Sequence, residues 1–397
     1  MKILFLSYYY SPDLSAGSFR ATRLVRALLK QLPADAKIDV ITTLPNRYRS
    51  FSISADESEV ADRLQIRRLP VTTHKSGFLD QMRAYLRFAL QALRHSKKSD
   101  YDLVVATSGR LMTAVLSAYI ARRKRVPLYL DIRDIFVDTI KHIVPKWSLW
   151  IMHSIFVPLE RYAIRRASKV NLISYGFREY FKNRYPEQSF SYFSNCVDVQ
   201  FVNHTVVPEE NSAARKTVLY AGNIGEGQGL HKIVVDVAQR LQEKIKFRII
   251  GDGGRRSLLL EAVQRSGLDN IELVSPINRE ELLGEYANAD VLFVHLNEFD
   301  AFEKVLPSKI FEYGATGKPL WAGVSGYAAE FLNTEVSNSA VFKPCNVDEA
   351  IETFESLSMD TVVREEFVDK YSCEKILTSM ASDVMSVAEE NQQVSES

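Results

Sequence analysis

Lys309 and Glu312, three residues apart behind a Pro307-Ser308 step, are the side chains whose types and spacing first point to chemistry. The stretch LPSKIFEYGATGKPLWAG, Leu306 to Gly323, reads as a short helix with its start and stop both marked, followed by a buried strand. Ser308 stands as the N-cap, Lys309 lies in the first turn and Glu312 shares its face. Free N–H groups beside an ammonium suit a phosphate, and a carboxylate one turn deeper suits the two hydroxyls of a ribose. The same pattern also fits an ordinary capped helix with a solvated Lys and Glu, so the rest of the chain has to decide.

The elements that must position this pair repeat one plan. TVLYAGNIGEGQGLHKIVVDVAQRL is strand, glycine-rich turn and helix, with Gly222, Gly225, Gly227 and Gly229 letting backbone N–H groups approach a diphosphate, and Asn223 inside the turn. It is neither a G-x-G-x-x-G fingerprint nor a P-loop. KFRIIGDGGRRSLLLEAV repeats the plan and sets Arg255 and Arg256 in the first turn of a helix. Arginine there opposes the helix dipole, which argues for an anion nearby or for a solvated pair. NIELVSPINREELLGEY and ADVLFVHL complete this half.

Upstream, Met1 to Tyr10 is a buried strand, and SPDLSAGSFRATRLVRALLKQL is a loop and helix, so Ala16, Gly17 and Ser18 fall at the carboxyl end of a strand, where ligands gather. KIDVITT, LQIRRLPV, YDLVVATS, VPLYLDIR and KVNLIS are continuous apolar runs of the kind that parallel sheets bury on both faces, which predicts a doubly wound α/β domain. Asp131 and Asp134, in YLDIRDIF, sit at a strand exit and can hold an acceptor hydroxyl or act as a base. The structural alternative makes Asp134 an N-cap and pairs Asp131 with Arg133 or another basic residue. Asp100 and Asp102 precede their strand, at the wrong edge of the sheet for a metal site.

A chain of 397 residues, 46% hydrophobic, holds two cores, and the change of composition across FSYFSNCVDVQF and VNHTVVPEENSAARK marks the boundary. Cys196, Cys345 and Cys373 are too few and too scattered for a disulfide framework or a zinc site, which fits a reducing cytoplasm. Neither a signal peptide nor a bilayer-spanning run is evident, and the polar end QQVSES reads as disordered. The net charge of +1 hides a division: residues 1–200 carry 32 Lys+Arg against 17 Asp+Glu, and the remainder 18 against 32. A basic first half meets something anionic, and we expect a membrane surface rather than nucleic acid. SGFLDQMRAYLRFALQALRHSKK and PKWSLWIMHSIFVPLERYAIRRASK mix aromatic, apolar and basic residues as interfacial helices do, and as sheet-covering helices also do.

With these residues placed, the chain resembles the family 4 retaining glycosyltransferases of the GT-B fold, near the bacterial subgroup that builds O-antigen, capsule or exopolysaccharide repeat units. The carrying stretches are SPDLSAGS, LERYAIRRASKVNLIS, SNCVDVQF, YAGNIGEGQGL, IIGDGG and VLPSKIFEYGATGKPL, in the family's order. The resemblance implies two Rossmann-like doubly wound parallel-sheet domains facing across a cleft. Residues 1–205 would bind the acceptor, residues 215–374 the nucleotide-sugar, and a helix over 375–392 would pack back on the first domain.

It implies that Glu312 holds the donor ribose, that Gly222, Asn223 and Gly225 lie by the diphosphate with Lys309, Ser308 and Arg255, and that Gly17 and Ser18 line the acceptor side. Glu303 stands one position off the family's first glutamate, where this chain has Lys304, and Asn223 and Gln228 replace the usual Arg and Lys. The donor would be a nucleotide-diphosphate sugar and the acceptor a lipid-linked saccharide, with neither cofactor nor metal, at the inner face of the cytoplasmic membrane. Glu303, Asp131, Asp134 and Lys309 are the catalytic candidates. A nucleotide-sugar 2-epimerase and a catalytically silent scaffold on the same fold are the alternatives; an NAD-dependent oxidoreductase fits the glycine spacing poorly.

Overall fold

The computed structural model describes residues 1–46, 54–71, 78–139, 149–202 and 215–396. Met1–Ser194 with Glu374–Ser397 forms one compact unit and Asn195–Cys373 the other. The first is built on β1 (Lys2–Ser7), β2 (Lys37–Thr43), β3 (Ser58–Ala61), β4 (Leu64–Leu69), β5 (Leu103–Ser108), β6 (Leu128–Ile132), β7 (Lys169–Leu172) and β8 (Phe190–Ser191). They run in the order β3-β4-β2-β1-β5-β6-β7-β8. All pairings are parallel except β3 with β4. Every residue of β5 and β6 is buried, as continuous apolar runs require when helices cover both faces. β3 is wholly exposed, and its sequence SEVA carries no apolar run to announce it.

The second unit holds β9 (Lys216–Asn223), β10 (Ile245–Asp252), β11 (Ile271–Val274), β12 (Val291–His295), β13 (Leu320–Gly323) and β14 (Ser339–Phe342). Their order is β11-β10-β9-β12-β13-β14, all parallel. Neighbouring residues of one strand feed opposite layers of core: Leu219 packs with Phe311 and Leu320, while Val218 packs with Phe247 and Trp321. The chain leaves β9 toward β11, then returns to β12 and continues the other way. The carboxyl ends of β9 and β12 are therefore the switch point, where an open α/β sheet offers a crevice.

Three expectations are corrected here. Residues 195–202, assigned from sequence to the first domain, belong to the second unit. Cys196 and Cys373, 177 residues apart, form a disulfide with Cα atoms 4.7 Å apart, leaving Cys345 free. They sit at the two ends of the second unit, which folding brings side by side: Val197 N–H donates to Tyr371 O at 2.7 Å and Cys373 N–H to Val197 O at 3.0 Å. The polar C-terminal residues are helical, the last helix running Cys373–Glu396, because no Gly or Pro stops a helix already nucleated by buried Leu377, Met380, Ala381, Val384 and Val387. Lys169 pairs with Asp383 of that helix, and Tyr129 OH donates to the same carboxylate at 2.8 Å. The boundary stretch 203–214, and residues 76–77 and 145–148 of the two basic segments, lie outside the described residues.

The first unit is knotted together at Asp131. This carboxylate, 0% exposed, accepts from Arg20 Nε at 2.8 Å and Nη2 at 3.0 Å, from Thr107 at 2.8 Å and from Asn171 at 2.7 Å. Arg20 spends its remaining N–H groups on Ser194 O at 2.6 Å and Phe193 O at 2.7 Å. Burial alone would raise the Asp131 carboxyl, but Arg20 and the surrounding donors hold it below its ordinary value. Removing one partner of a buried pair strands the other charge, so Asp131→Ala should cost about 3–5 kcal/mol of stability, read as the shift of the urea midpoint. A midpoint at the wild-type value would remove the pair from this role.

Candidate active site

At the switch point of the second sheet, β9 and β12 pair only at Val218 with Val291 and Leu219 with Leu292. Beyond that they part, and side chains fill the gap. Tyr313 lends its hydroxyl to Ala221 N–H at 3.0 Å, satisfying a backbone donor that a neighbouring strand would otherwise take. The first glycine turn follows β9. Gly222 faces Gly251 of β10, and a Cβ on Gly251 would lie 1.8 Å from Gly222 O, so the two strands meet with no side chain between them. Asn223 donates from Nδ2 to Gln228 Oε1 at 2.7 Å, and Gly225 N–H reaches the same oxygen at 3.3 Å. The turn is closed by two neutral amides, at the positions where the resemblance implies Arg and Lys.

The helix expected behind Ser308 spans only Lys309–Ala315. Ser308 occupies the N-cap position in αR geometry, and its side chain makes no cap hydrogen bond, which corrects the reading of it as a capping side chain. Lys309 and Glu312 do share a face: Lys309 Nζ donates to Glu312 Oε2 at 2.9 Å, the two side chains being 25% and 17% exposed. Burial would raise the Glu312 carboxyl, yet Lys309, then Arg279, then the hydroxyl of Tyr286 hold it below its ordinary range. Burial likewise would lower the Lys309 ammonium, and Glu312 holds it above its usual value. A Cβ on Gly222 would lie 3.6 Å from Lys309 Cε, so the lysine stem lies against the glycine turn.

The structure thus brings Gly222, Asn223, Gly225, Lys309 and Glu312 together. Arg255 is close, its N–H bonded to Ile224 O at 2.9 Å, but its guanidinium is paired with Glu226. Glu303 lies exposed in the 3-10 turn Asp300–Lys304, whose Phe302 ring packs against Gly227. In the first unit Gly17 stands in the first turn of the helix Ala16–Gln31, not in the loop before it; a Cβ there would come within 2.2 Å of Arg133 Nη1. Ser18 beside it is fully buried, and its hydroxyl has no partner among the described residues. Asp134 is half-buried between β6 and the short helix Phe136–Thr139. Asp131 has no access to an acceptor: its oxygens are occupied by buried donors, which withdraws it as a base and favours the ion-paired alternative, with Arg20 as the partner. Among the described residues no three His, Cys, Asp or Glu side chains gather as metal ligands.

Sequence reasoning missed Tyr286, Tyr313 and His295. His295 sits in the apolar run ADVLFVHL, and Tyr286 and Tyr313 each follow a glutamate on a helix, where an aromatic ring reads as core packing. His295, 1% exposed at the end of β12, lies 2.7 Å from Gln228 O through Nδ1 and accepts Cys345 N–H at Nε2, 3.0 Å. It ties the glycine turn to the loop after β14, and that arrangement requires the neutral ring with its proton on Nδ1.

Two parallel α/β units, the second with a glycine turn, a lysine and a carboxylate at its switch point, define a GT-B fold. Over the whole of both chains the fold is similar to Anabaena HepE in complex with UDP and glucose, TM-score 0.60 at 17% identity. It is also similar to WaaG, a glycosyltransferase involved in lipopolysaccharide biosynthesis, over 99% of each chain, TM-score 0.64 at 13% identity. Residues 15–189 match the glycosyl transferase 4-like domain and residues 206–371 the glycosyl transferases group 1. WcaI of Escherichia coli, named for colanic acid biosynthesis and glycosyl transfer, is 24% identical over 340 residues, 80% of this chain and 82% of that one. The chain belongs to the glycosyltransferases of this two-domain family.

Burial pushes His295 down to about 4, from an ordinary 6.5. Above pH 6.5 both folded and unfolded rings are neutral and the residue is indifferent to pH. As the pH falls toward 4 only the unfolded chain takes up the proton, so stability declines by about 3 kcal/mol over that window. Urea unfolding at pH 7 and pH 4.5 should show this loss in wild type and a smaller one in His295→Gln; equal losses would detach His295 from it.

Proposed function

We propose that the protein is a retaining glycosyltransferase that moves a sugar from a nucleotide-diphosphate donor to a lipid-linked saccharide in bacterial surface polysaccharide synthesis. The observation that carries this is the Lys309–Glu312 pair lying against the Gly222 turn at the second sheet's switch point. Glu312 accepts the ribose hydroxyls, and Lys309 turns from Glu312 to the diphosphate as the leaving group gathers charge, with the backbone N–H groups of the turn beside it. Because Asn223 and Gln228 are neutral and Arg255 is held by Glu226, Lys309 is the cation best placed for that task. The acceptor oxygen bonds to the anomeric carbon on the face from which the diphosphate departs, and a leaving phosphate oxygen takes the acceptor's proton. The protein supplies position and electrostatics, with neither a nucleophile of its own nor a metal. Glu303, in its exposed turn, is the carboxylate we assign to the sugar; Asp134 and Gly17 of the first unit are the acceptor candidates, whereas Ser18 is fully buried and reaches no acceptor. The similarity to HepE, solved with UDP-glucose, supports a uridine nucleotide, and the likeness to WcaI supports a surface-polysaccharide acceptor.

Calorimetry with UDP and uridine tests the donor site. Glu312→Ala should weaken UDP by about 1.5–3 kcal/mol, the cost of a hydrogen bond to a charged group. Lys309→Ala should weaken UDP more than uridine. If both variants bind UDP as wild type does, the site lies elsewhere; if wild type itself gives no heat with any nucleoside diphosphate, the scaffold reading takes over.

The same reading places the protein on the cytoplasmic face of a membrane, through the basic first unit. The helix Phe78–Ser96 buries Ala84, Tyr85, Phe88 and Ala92 on one side and exposes Met82, Leu86 and Leu90 on the other, 44%, 52% and 57%. Arg83, Arg87 and Arg94 are exposed around that stripe. Trp150, 79% exposed on the helix Leu149–Arg166, adds an aromatic ring suited to the headgroup region. No helix among the described residues is long and apolar enough to cross a bilayer. Each basic residue near an anionic surface contributes about 1 kcal/mol, enough for reversible, salt-sensitive attachment. Sedimentation with phosphatidylglycerol vesicles should exceed that with neutral ones, fall with salt, and fall again when Arg83, Arg87 and Arg94 become Gln. Equal, negligible binding to both vesicles at low salt would leave the basic half as a solvated surface.

A further inference from the structure

Tyr286, on the helix Arg279–Asn288, is 2% exposed, yet its hydroxyl is where the two charged side chains of the site meet. It donates to Glu312 Oε2 at 3.1 Å and accepts from Lys309 Nζ at 2.9 Å. A phenol has a single proton, and this geometry commits it to the carboxylate while the ammonium takes a lone pair. Lys309 donates to that same Oε2 at 2.9 Å, so Glu312 Oε1 is left without a hydrogen bond among the described residues. One oxygen of the carboxylate is anchored and the other is open to a ligand.

The ring is as firmly placed as the hydroxyl. It stacks on Phe201 with centroids 5.6 Å apart and meets the edge of Tyr313 at 5.2 Å. Phe201 in turn lies under the Arg279 guanidinium at 4.8 Å, and Arg279 pairs with Asp198 Oδ2 at 2.5 Å. Asp198 and Phe201 follow directly on Val197, which is bridged to Ser372 and bonded through its backbone to Tyr371 and Cys373, so the ring rests on a wall tied to the far end of the unit. Burial, and then the Glu312 charge, push the Tyr286 phenol well above its ordinary value; it stays a neutral donor.

We infer that Tyr286 is a positioning residue of the donor site, which anchors Glu312 by Oε2 so that Oε1 meets the nucleotide's ribose, and which receives Lys309 until a diphosphate draws it away. This rests on the donor-site reading above. Tyr286 touches neither the sugar nor the reacting bond; it acts through Glu312 and Lys309.

The test uses the full chain, UDP as the probe, and four proteins: wild type, Tyr286→Phe, Glu312→Ala and the double variant, each measured by calorimetry from pH 5 to pH 8. Tyr286→Phe keeps the ring and its stack, so the fold survives. UDP affinity should fall about tenfold, the low end for one hydrogen bond to a charged group, because Tyr286 acts on the nucleotide only through Glu312. The acid-side loss of affinity should also move to higher pH, because Glu312 has lost a donor that favours its charged form. In the Glu312→Ala background the Tyr286→Phe change should cost nothing further. A packing role alone would not move the acid limb or vanish in that background. Wild-type affinity and pH profile in Tyr286→Phe, or full additivity with Glu312→Ala, would overturn the inference while leaving the donor site standing. Wild-type affinity in Glu312→Ala would overturn both.

Discussion

The bidentate contact between Arg20 and Asp131 is the constraint on which the first unit depends. A carboxylate with no exposure is tolerable only when every lone pair is met, and Asp131 achieves this by drawing donors from a helix, from β5 and from β7. Arg20 has N–H groups left over and spends them on the carbonyls of Phe193 and Ser194, where the chain leaves the unit, and on Met380 Sδ at 3.3 Å in the returning helix. One buried charge pair therefore fixes three strand ends and both chain crossings. The cost of desolvating it is offset by geometry rather than by number of contacts, which is why a single truncation there matters more than any exposed ion pair.

The second unit solves a different problem. Its two central strands must part to make a crevice, and parting leaves backbone donors without a ladder. Tyr313 meets one of them at Ala221, and its ring supports Tyr286, which holds the charged pair. A polar site is thus assembled from aromatic residues whose rings belong to the core and whose hydroxyls do not. Lys309 and Glu312 hold each other charged against a burial that disfavours either charge, so the pair is electrostatically set by the fold itself. The Asn223–Gln228 amide pair closes the glycine turn without a charge, and Lys309 lies against that turn at Gly222.

Charge is divided between the units as sharply as structure is. The first half carries the excess of Lys and Arg, and its helix Phe78–Ser96 shows how one element serves two surfaces: Tyr85 and Phe88 face the core, Leu86 and Leu90 do not. Its sequence alone left both a sheet-covering and an interfacial role open, because the two roles share one composition. The packing shows that the helix has apolar side chains beyond what the sheet can cover.

By itself the sequence determined the elements that depend on local pattern. The continuous apolar runs of β5, β6 and β12 announced parallel strands, and the spacing of Lys309 and Glu312 announced a shared helix face, because period and turn chemistry are written in neighbouring residues. What only the tertiary structure decided is whatever joins residues far apart in the chain. It paired Asp131 with Arg20, and so withdrew it as a base. It joined Cys196 to Cys373, which spacing had set aside; it stripped Ser308 of its capping role; and it gave Tyr286 and His295 polar duties that their apolar surroundings concealed. The reason is physical: a hydrogen bond or an ion pair has a range of a few ångströms, and which side chains come within it is set by the closure of the sheets, not by distance along the sequence.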